Sequence, residues 1–356
     1  MTRNPLIRGI RTAALLIAFT LLQTGFGFAQ PKPLLLFHGV HPAMGSEFTI
    51  DLYAPDQETA QQWMQISFDE IDRIEALLSN YRPTSELSRI SREAGNHPVT
   101  TDPETFAFVR TSIDWSRRSN GAFDITVGPL MRAWGFFFNH GRIPSQAELD
   151  ALRKQIGWQN VKLDPATRTV SFTNHANMEL DPGGIGKGYA VDRIVALLRQ
   201  QRVTAALISA GTSTIYAIGK PPGTPGWLIH IPDPAHDGKI LTTVALADTS
   251  LSTSGCTEKF FIKNGHRYCH ILDPTAMSPV ENMLQTTIIA PSATDSDALS
   301  TATFVMGPEA SARLLRSCLH SAAVFVAGTL QVPRYSSVDW PHPLNINKET
   351  IQGKGN

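Results

Sequence analysis

Cysteine is scarce in this chain of 356 residues, limited to Cys256, Cys269 and Cys318. Three cannot staple a disulfide scaffold, and their spacing matches no paired metal-ligand motif. Cys256 and Cys269 are open either to bridging in an oxidising compartment or to remaining buried thiols. Charge imbalance is missing too: Lys plus Arg and Asp plus Glu each total 31. With no basic run interleaved with aromatics, nucleic acid is not expected as a partner. The patterns G-x-S-x-G, H-E-x-x-H and C-x-x-C do not occur, so acyl hydrolase, zinc protease and thiol oxidoreductase readings lose their main support. There is no internal repeat and no clear linker, which favours one intertwined domain. Nor is there an apolar run long enough for a bilayer, which needs about 20 residues.

The one notable apolar run, Ala13 to Leu22, follows Arg3, Arg8 and Arg11 and leads through small residues to Ala29. That order reads as a secretory signal peptide over residues 1–29, with Gln30 first in the mature chain. No cysteine follows the cleavage region to carry a lipid. The expected location is therefore a bacterial periplasm, with at most peripheral membrane contact. A domain over 30–330 and a loosely held, polar, proline-containing tail over 331–356 complete the expected organisation.

Alternation of Phe48, Ile50 and Leu52 predicts a strand, preceded by a short one at Leu34 to Phe37. Helical spacing of Ile66, Ile71, Ile74, Leu77 and Leu78 predicts a helix from Glu58 to Ser79, stopped by Tyr81-Arg82-Pro83. Further helices are expected at Pro103 to Arg118 and, from the capping-box pattern Ser145-x-x-Glu148, at Ser145 to Gln155. Short β runs follow at 161–163, 169–172, 206–209, 214–218, 227–231, 241–246, 259–262 and 268–272. Two helices, Asp295 to Met306 and Pro308 to His320, precede a last strand near 323–327. Helices, then many strands, then helices, without βαβ alternation, indicate an α+β fold with mostly antiparallel sheets.

The most informative segment is ELDPGGIGKGYAVD, Glu179 to Asp192. Its glycines permit close backbone approach, a helix start presents amides with partial positive charge, and Lys187 adds a full one. Val191, Ile194, Val195 and Leu198 keep helical spacing after it. It is neither a Walker A loop nor a dinucleotide fingerprint. A phosphate-binding loop and a plain tight turn both fit. In ATDSDALSTATFVMG, Asp297 and Thr301 share a helix face, which suits a hard cation such as Mg²⁺ or, equally, simple capping. Ala122-Phe123-Asp124 could present backbone groups and a carboxylate to a planar ligand, or form a strand entering a turn at Gly128-Pro129. Tyr81, at a helix end, could stack on a flavin or only pack. His270 in HILDP could act as a general base or be structural.

Taken in order, the blocks MGSEF (44–48), LSNYRPTSELSRIS (78–91), GAFDITVGPLMRAWGF (121–136), ELDPGGIGKGYAVD, LADTSLSTSG (246–255), HILDP (270–274) and DALSTATFVMG resemble the ApbE-type FAD:protein FMN transferases. The resemblance implies a single ApbE-like, T-fold-like domain and an exported Mg²⁺-dependent enzyme. Such an enzyme cleaves FAD, attaches FMN through a phosphoester to a threonine of an exported or membrane flavoprotein, and releases AMP. It further implies that Met44, Tyr81, Ala122, Phe123, Asp124, Asp181, Lys187 and His270 line the FAD site, with His270 and Lys187 beside the chemistry. Asp297 and Thr301, with the backbone carbonyl of Gly184, would hold Mg²⁺.

Three segments depart from the family pattern. Gly211-Thr212-Ser213 stands where Gly-Gly-Asp is usual, Thr275-Ala276-Met277 where Arg-Thr-Gly is usual, and Cys256-Thr257 where an aspartate and an aromatic are usual. A missing arginine removes a bidentate phosphate donor, and Met277 is expected to crowd a turn or the flavin edge. These departures imply altered specificity or slower turnover. They also leave FAD hydrolysis to FMN and AMP, or non-catalytic FAD binding, as alternatives to transfer.

Overall fold

The computed structural model describes residues 33–345, apart from 138–139, 174–176 and 258. The expected leader, 1–29, lies outside the described residues. Along the chain, the hairpin β1 (Leu35–Ala43) and β2 (Ser46–Ala54) leads into α1 (Gln57–Leu78), whose start is capped by Asp56 accepting from the Thr59 amide at 3.0 Å. Next come α2 (Glu86–Glu93), β3 (Val99–Thr100) and α3 (Pro103–Arg118), which opens on the capping residue Asp102 with proline in its first turn. A six-residue helix, α4 (Gly128–Ala133), precedes α5 (Gln146–Leu152), where the expected capping box of Ser145 and Glu148 is present. Then follow β4 (Val161–Asp164), β5 (Thr169–Phe172), α6 (Gly186–Gln200), β6 (Ala205–Ala210), β7 (Thr214–Gly219), β8 (Trp227–Pro232), β9 (Ile240–Leu246) and β10 (Thr249–Gly255). The remainder is β11 (Phe260–Lys263), β12 (His266–Cys269), β13 (Leu272–Asp273), β14 (Ser278–Pro279), β15 (Met283–Ala290), α7 (Ala293–Arg316), β16 (Ala322–Gly328) and β17 (Pro333–Val338).

Eight strands form one antiparallel sheet in the order β1-β2-β6-β7-β10-β15-β16-β17. Period-two alternation sorts side chains to its two faces. On β7, Tyr216 and Ile218 join the large core beneath α1, α6 and α7, while Ala217 and Ile215 face a second cluster with Trp227, Val244 and Leu246 of the β8–β9 ribbon. Phe48, Ile50 and Leu52 are fully buried in the large core, each contributing about 1.5–3 kcal/mol by burial. The α+β expectation, antiparallel sheet packed by helices, is what the molecule has.

Four differences from the sequence expectations have physical reasons. β1 is longer than Leu34 to Phe37 because pairing with β2 extends nine residues to Ala43, through an edge strand whose exposed Leu35, Leu36 and Val40 mask any alternation. The central strands β10 and β15 were not anticipated; β10 reads TSLSTSG, and its buried serines are satisfied by hydroxyls of α7 rather than by apolar packing. The stretch around Ala122 to Asp124 is a turn, not a strand, followed by an isolated parallel bridge between Val127 and Glu179. Finally, the expected tail from 331 contains β17, an edge strand paired with β16, so the ordered domain runs past 330.

Candidate active site

The loop ahead of α6 brings the site together. Asp181 is fixed by its backbone amide donating to the Ile125 carbonyl at 2.7 Å. Its Oδ1 accepts from the Gly183 amide at 2.7 Å, folding the loop back on itself. Burial pushes the Asp181 pKa upward, against the pull of that amide. Ile185, the residue before α6, supplies no side-chain cap, so the helix start keeps the partial positive charge suited to an anion.

Against this start packs α7. Gly188 must be glycine, because a Cβ there would sit 2.1 Å from the Ala293 carbonyl oxygen and 2.8 Å from the Asp297 Cβ. The close approach lets the Gly188 amide donate to Asp297 Oδ2 at 2.9 Å. One helical turn further along α7, Thr301 Oγ1 lies 3.4 Å from the Gly184 carbonyl oxygen. A Cβ on Gly184 would meet Thr301 Oγ1 at 3.0 Å and the Phe123 ring at 3.2 Å, so the absent side chain keeps this cradle open. Asp192, four residues past Gly188, sets the register of the two helices: it accepts from the Ala293 and Thr294 amides, both at 2.8 Å, and from the Thr294 hydroxyl at 2.6 Å.

Lys187 completes the group. Its Nζ donates to Ser213 Oγ, in the turn before β7, and its charge acts on Asp297. Burial raises the Asp297 pKa, opposed by Lys187, the Gly188 amide and the Thr214 hydroxyl. A carboxylate, a hydroxyl and a backbone carbonyl converge, all oxygen donors, and a desolvated carboxylate gains from a dication beside it. The residues therefore fit a hard divalent cation such as Mg²⁺. Clusters of three or more His, Cys, Asp or Glu in metal-binding geometry do not occur among the described residues; a carbonyl and a hydroxyl fall outside such a count.

The remaining residues named from the sequence divide into three groups. Met44 turns the β1–β2 hairpin, with its amide donating to Glu75 Oε1 at 3.0 Å, and its Cε lies beside Gly186. Phe123 is buried beside Gly184, while Ala122, in the same turn, donates from its amide to the Ser119 carbonyl. Tyr81 is 62% exposed and stacks on Phe137 at 4.1 Å between ring centres, within the electrostatic reach of Asp181. That is a ring presented at the surface near the loop.

Asp124 is different. Oδ1 accepts from the Thr126 amide at 2.9 Å and the Thr126 hydroxyl at 2.7 Å, and Oδ2 from the Trp158 amide at 3.0 Å. With only 7% of the residue exposed, it buttresses its own loop instead of presenting a carboxylate. His270 follows β12, and its link to the cation cradle runs through other residues. Cys269 is bonded to Cys256, which directly follows β10, whose Ser254 meets Ser300 of α7 at 2.9 Å. His270 Nδ1 lies 2.9 Å from the Lys259 carbonyl oxygen. A carbonyl only accepts, so Nδ1 carries a proton here, and in the neutral tautomer that this bond selects the lone pair would lie on Nε2. Thr214, Ser252, Ser296 and Asp192 were missed from the sequence; the one signal was serine at alternate positions 250, 252 and 254 facing hydroxyls at 296 and 300, four apart on a helix.

The family model described as the ApbE family matches residues 44–326. Among curated proteins, the chain is 34% identical over 285 residues to the FAD:protein FMN transferase of Klebsiella pneumoniae, covering 80% of this chain and 86% of that protein. It is 33% identical over 274 residues to the FAD:protein FMN transferase of Treponema pallidum, covering 73% and 75%. Among solved structures, the ApbE protein of Thermotoga maritima superposes with a TM-score of 0.78 at 28% identity over 86% of this chain and 97% of that one. The apo form of Pseudomonas stutzeri flavinyl transferase ApbE gives 0.76 at 28% identity, covering 86% and 96%.

Proposed function

The chain belongs to the ApbE family, and on that premise we propose that it is an FAD:protein FMN transferase working on an exported acceptor in the periplasm. The observation that carries the reading is the meeting of the α6 loop with α7, which places Lys187, Asp297, Thr301 and the Gly184 carbonyl in one group. Residues over 100 positions apart in sequence would not converge in this chemistry for a turn serving backbone geometry alone.

Asp297, Thr301 and the Gly184 carbonyl would hold Mg²⁺. Bound there, the ion supplies positive charge against the phosphoryl oxygens, the main demand of phosphoryl transfer. Lys187 and the open start of α6 orient the FAD pyrophosphate and draw off its negative charge. Tyr81 offers a ring face to the flavin or adenine. The hydroxyl oxygen of the acceptor threonine bonds to the phosphorus on the riboflavin side as the bond from that phosphorus to the bridging oxygen breaks. AMP leaves with the bridging oxygen, and the threonine proton passes to His270 Nε2.

One incubation tests this: purified protein, FAD and Mg²⁺ with a candidate acceptor domain. Flavin fluorescence on the denatured acceptor, with AMP released in equal amount, is the expected result. FMN and AMP free in solution with the acceptor unlabelled would mean hydrolysis instead, and FAD recovered intact would mean a carrier.

A further inference from the structure

Tyr81 leaves 62% of its surface exposed, yet its ring is not loose. Phe137, only 8% exposed, lies against it with ring centres 4.1 Å apart and planes within 12° of parallel. The guanidinium carbon of Arg132 lies 3.6 Å from the centre of the same Phe137 ring. Two flat groups at that range cannot share one face, so Tyr81 and Arg132 lie on opposite sides of Phe137. Arg132 is fixed in turn: its Nε donates to Glu179 Oε2 at 2.5 Å and its Nη2 to Glu179 Oε1 at 2.7 Å, a two-pronged bond that sets the guanidinium plane. Glu179 thus anchors a pile of flat groups whose last member, Tyr81, is the exposed one.

The base of the pile belongs to the loop ahead of α6. Glu179 stands two residues before Asp181, and its backbone is bridged to Val127 at the start of α4. A Cβ on Gly128 would sit 2.8 Å from the Glu179 Cβ, Cγ and carbonyl oxygen, so the absent side chain admits Glu179 beside the helix that carries Arg132. Tyr81 comes from elsewhere, just past the end of α1. The pile therefore sets an aromatic ring at a fixed place relative to the segment that continues to Gly184 and Lys187. Interior packing does not account for it: among the described residues, neither ring belongs to the large core or to the cluster of Leu130, Trp134, Ile156, Leu272 and Met277.

We infer that Arg132 and Phe137 are positioning residues, holding Tyr81 as a stacking face for one of the two planar ring systems of FAD. The inference rests on FAD being the ligand, as proposed above. Arresting a mobile side chain at the moment of binding costs affinity, by about threefold to tenfold for each one. Here the arrest precedes the ligand. The near-parallel contact with Phe137 holds Tyr81, and attraction between the Arg132 cation and the far face of Phe137 holds the support. Flavin and adenine are both flat heterocycles, and the exposed tyrosine suits either.

The test is calorimetric titration of FAD into the mature protein with EDTA present, so that binding is read apart from turnover. Tyr81→Leu should weaken FAD binding about tenfold, the scale of one stacked base. Phe137→Leu, which keeps bulk but not the ring, should weaken it about fivefold, and Phe137→Tyr should recover most of that loss. In a Tyr81→Leu background, Phe137→Leu should cost nothing further, because a residue acting through Tyr81 then has nothing to act on. The same loss in both backgrounds would mean a merely structural Phe137 and would overturn the inference. If Phe137→Leu does not fold, Arg132→Gln repeats the comparison, with a loss of about threefold that should also vanish in the Tyr81→Leu background. FMN and ADP, titrated into the variant that folds, identify the ring: the half that loses affinity carries it, and unchanged affinity for both would overturn the inference. Wild-type FAD affinity in Tyr81→Leu would do the same while leaving the transferase reading intact. A wild-type protein that binds no FAD would remove that reading and this one with it.

Discussion

The Gly188 amide and the Asp297 carboxylate meet at 2.9 Å across the α6–α7 interface, and that contact exists only because residue 188 has no side chain. A methyl group there would strike the Ala293 carbonyl, a backbone atom that cannot rotate away. Gly188→Ala should therefore push the two helices apart, costing about 1–3 kcal/mol of stability and weakening divalent-cation binding together with it. At Gly186 the added Cβ meets side chains alone, Pro182 at 3.2 Å and the flexible end of Met44 at 3.6 Å, so Gly186→Ala should be the milder change. Urea unfolding with Mn²⁺ titration on both variants checks the ranking; equal effects would remove the interface explanation.

Lys187 stands between Ser213 and Asp297. Lys187→Ala should weaken FAD binding about tenfold, equal to roughly 1.4 kcal/mol, the scale of one charge-assisted phosphate contact. Lys187→Arg should lose less, since it keeps the charge but sets a planar guanidinium where a compact ammonium meets Ser213. Flavin fluorescence titration measures both, and unchanged affinity in the alanine variant would reduce the loop to a turn.

The α6 helix is also fastened at its outer face. Glu70 of α1 binds Arg73 at 2.7 Å and Arg193 of α6 at 3.0 Å, and Glu104 of α3 binds the same two arginines at 2.7 and 3.1 Å. The Arg73 hydrogen bond, opposed by burial and aided by Arg193, holds the Glu70 pKa below its ordinary value of 4.5. A lowered folded-state pKa gives stability that is present above 4.5 and lost as pH falls through the folded value. Glu70→Gln should cost about 1 kcal/mol at neutral pH, and that cost should shrink as pH falls below 4.5 and through the lowered folded-state value of Glu70. Urea midpoints of both proteins across pH 3–7 test this; a constant difference would contradict it.

Cys256 and Cys269 are bridged, resolving the two readings the sequence left open. The bridge closes a 13-residue separation that carries the β11–β12 ribbon and ends next to His270. Replacing both cysteines with serine should lower stability by about 3 kcal/mol. Because Lys187 and Asp297 lie on other elements, turnover should fall further than FAD affinity. Thermal melting, kcat and FAD affinity, compared with and without dithiothreitol for the wild type, separate the two effects.

Elements that carry their own periodicity were legible. α3 spans Pro103–Arg118 as its proline, capping aspartate and buried Phe106, Val109 and Ile113 dictate. α2 was not, since ELSRISRE buries only Leu87 and Ile90 and borrows its stability from α1. The polar edge strand β17 looked like tail because its face toward solvent needs no apolar residues. At the site, composition pointed to the α6 loop and to Asp297 with Thr301, but the contact between Gly188 and Asp297 spans a separation of 109 positions that no local pattern encodes. Thr214 and Ser252 were illegible for a related reason: a serine-rich strand suggests a solvated surface unless its partner hydroxyls on another helix are known.

Met277 gives the sharpest contrast between an expectation and its structural cause. In place of the family's usual glycine, it takes φ of 60° in the turn between β13 and β14, a conformation that glycine adopts without cost. Its side chain is 1% exposed and packs with Leu130, Trp134, Ile156 and Leu272, while its carbonyl accepts from Trp134 Nε1 at 3.1 Å. The methionine thus fills an apolar cluster under α4, and the turn bears its strain. Met277→Gly relieves about 1 kcal/mol of backbone strain but empties a buried site worth about 2–5 kcal/mol. The net result should be a loss of stability by urea unfolding with FAD affinity unchanged. A gain in FAD affinity would place the side chain at the flavin edge, and a gain in stability would mean that strain outweighs packing in this turn.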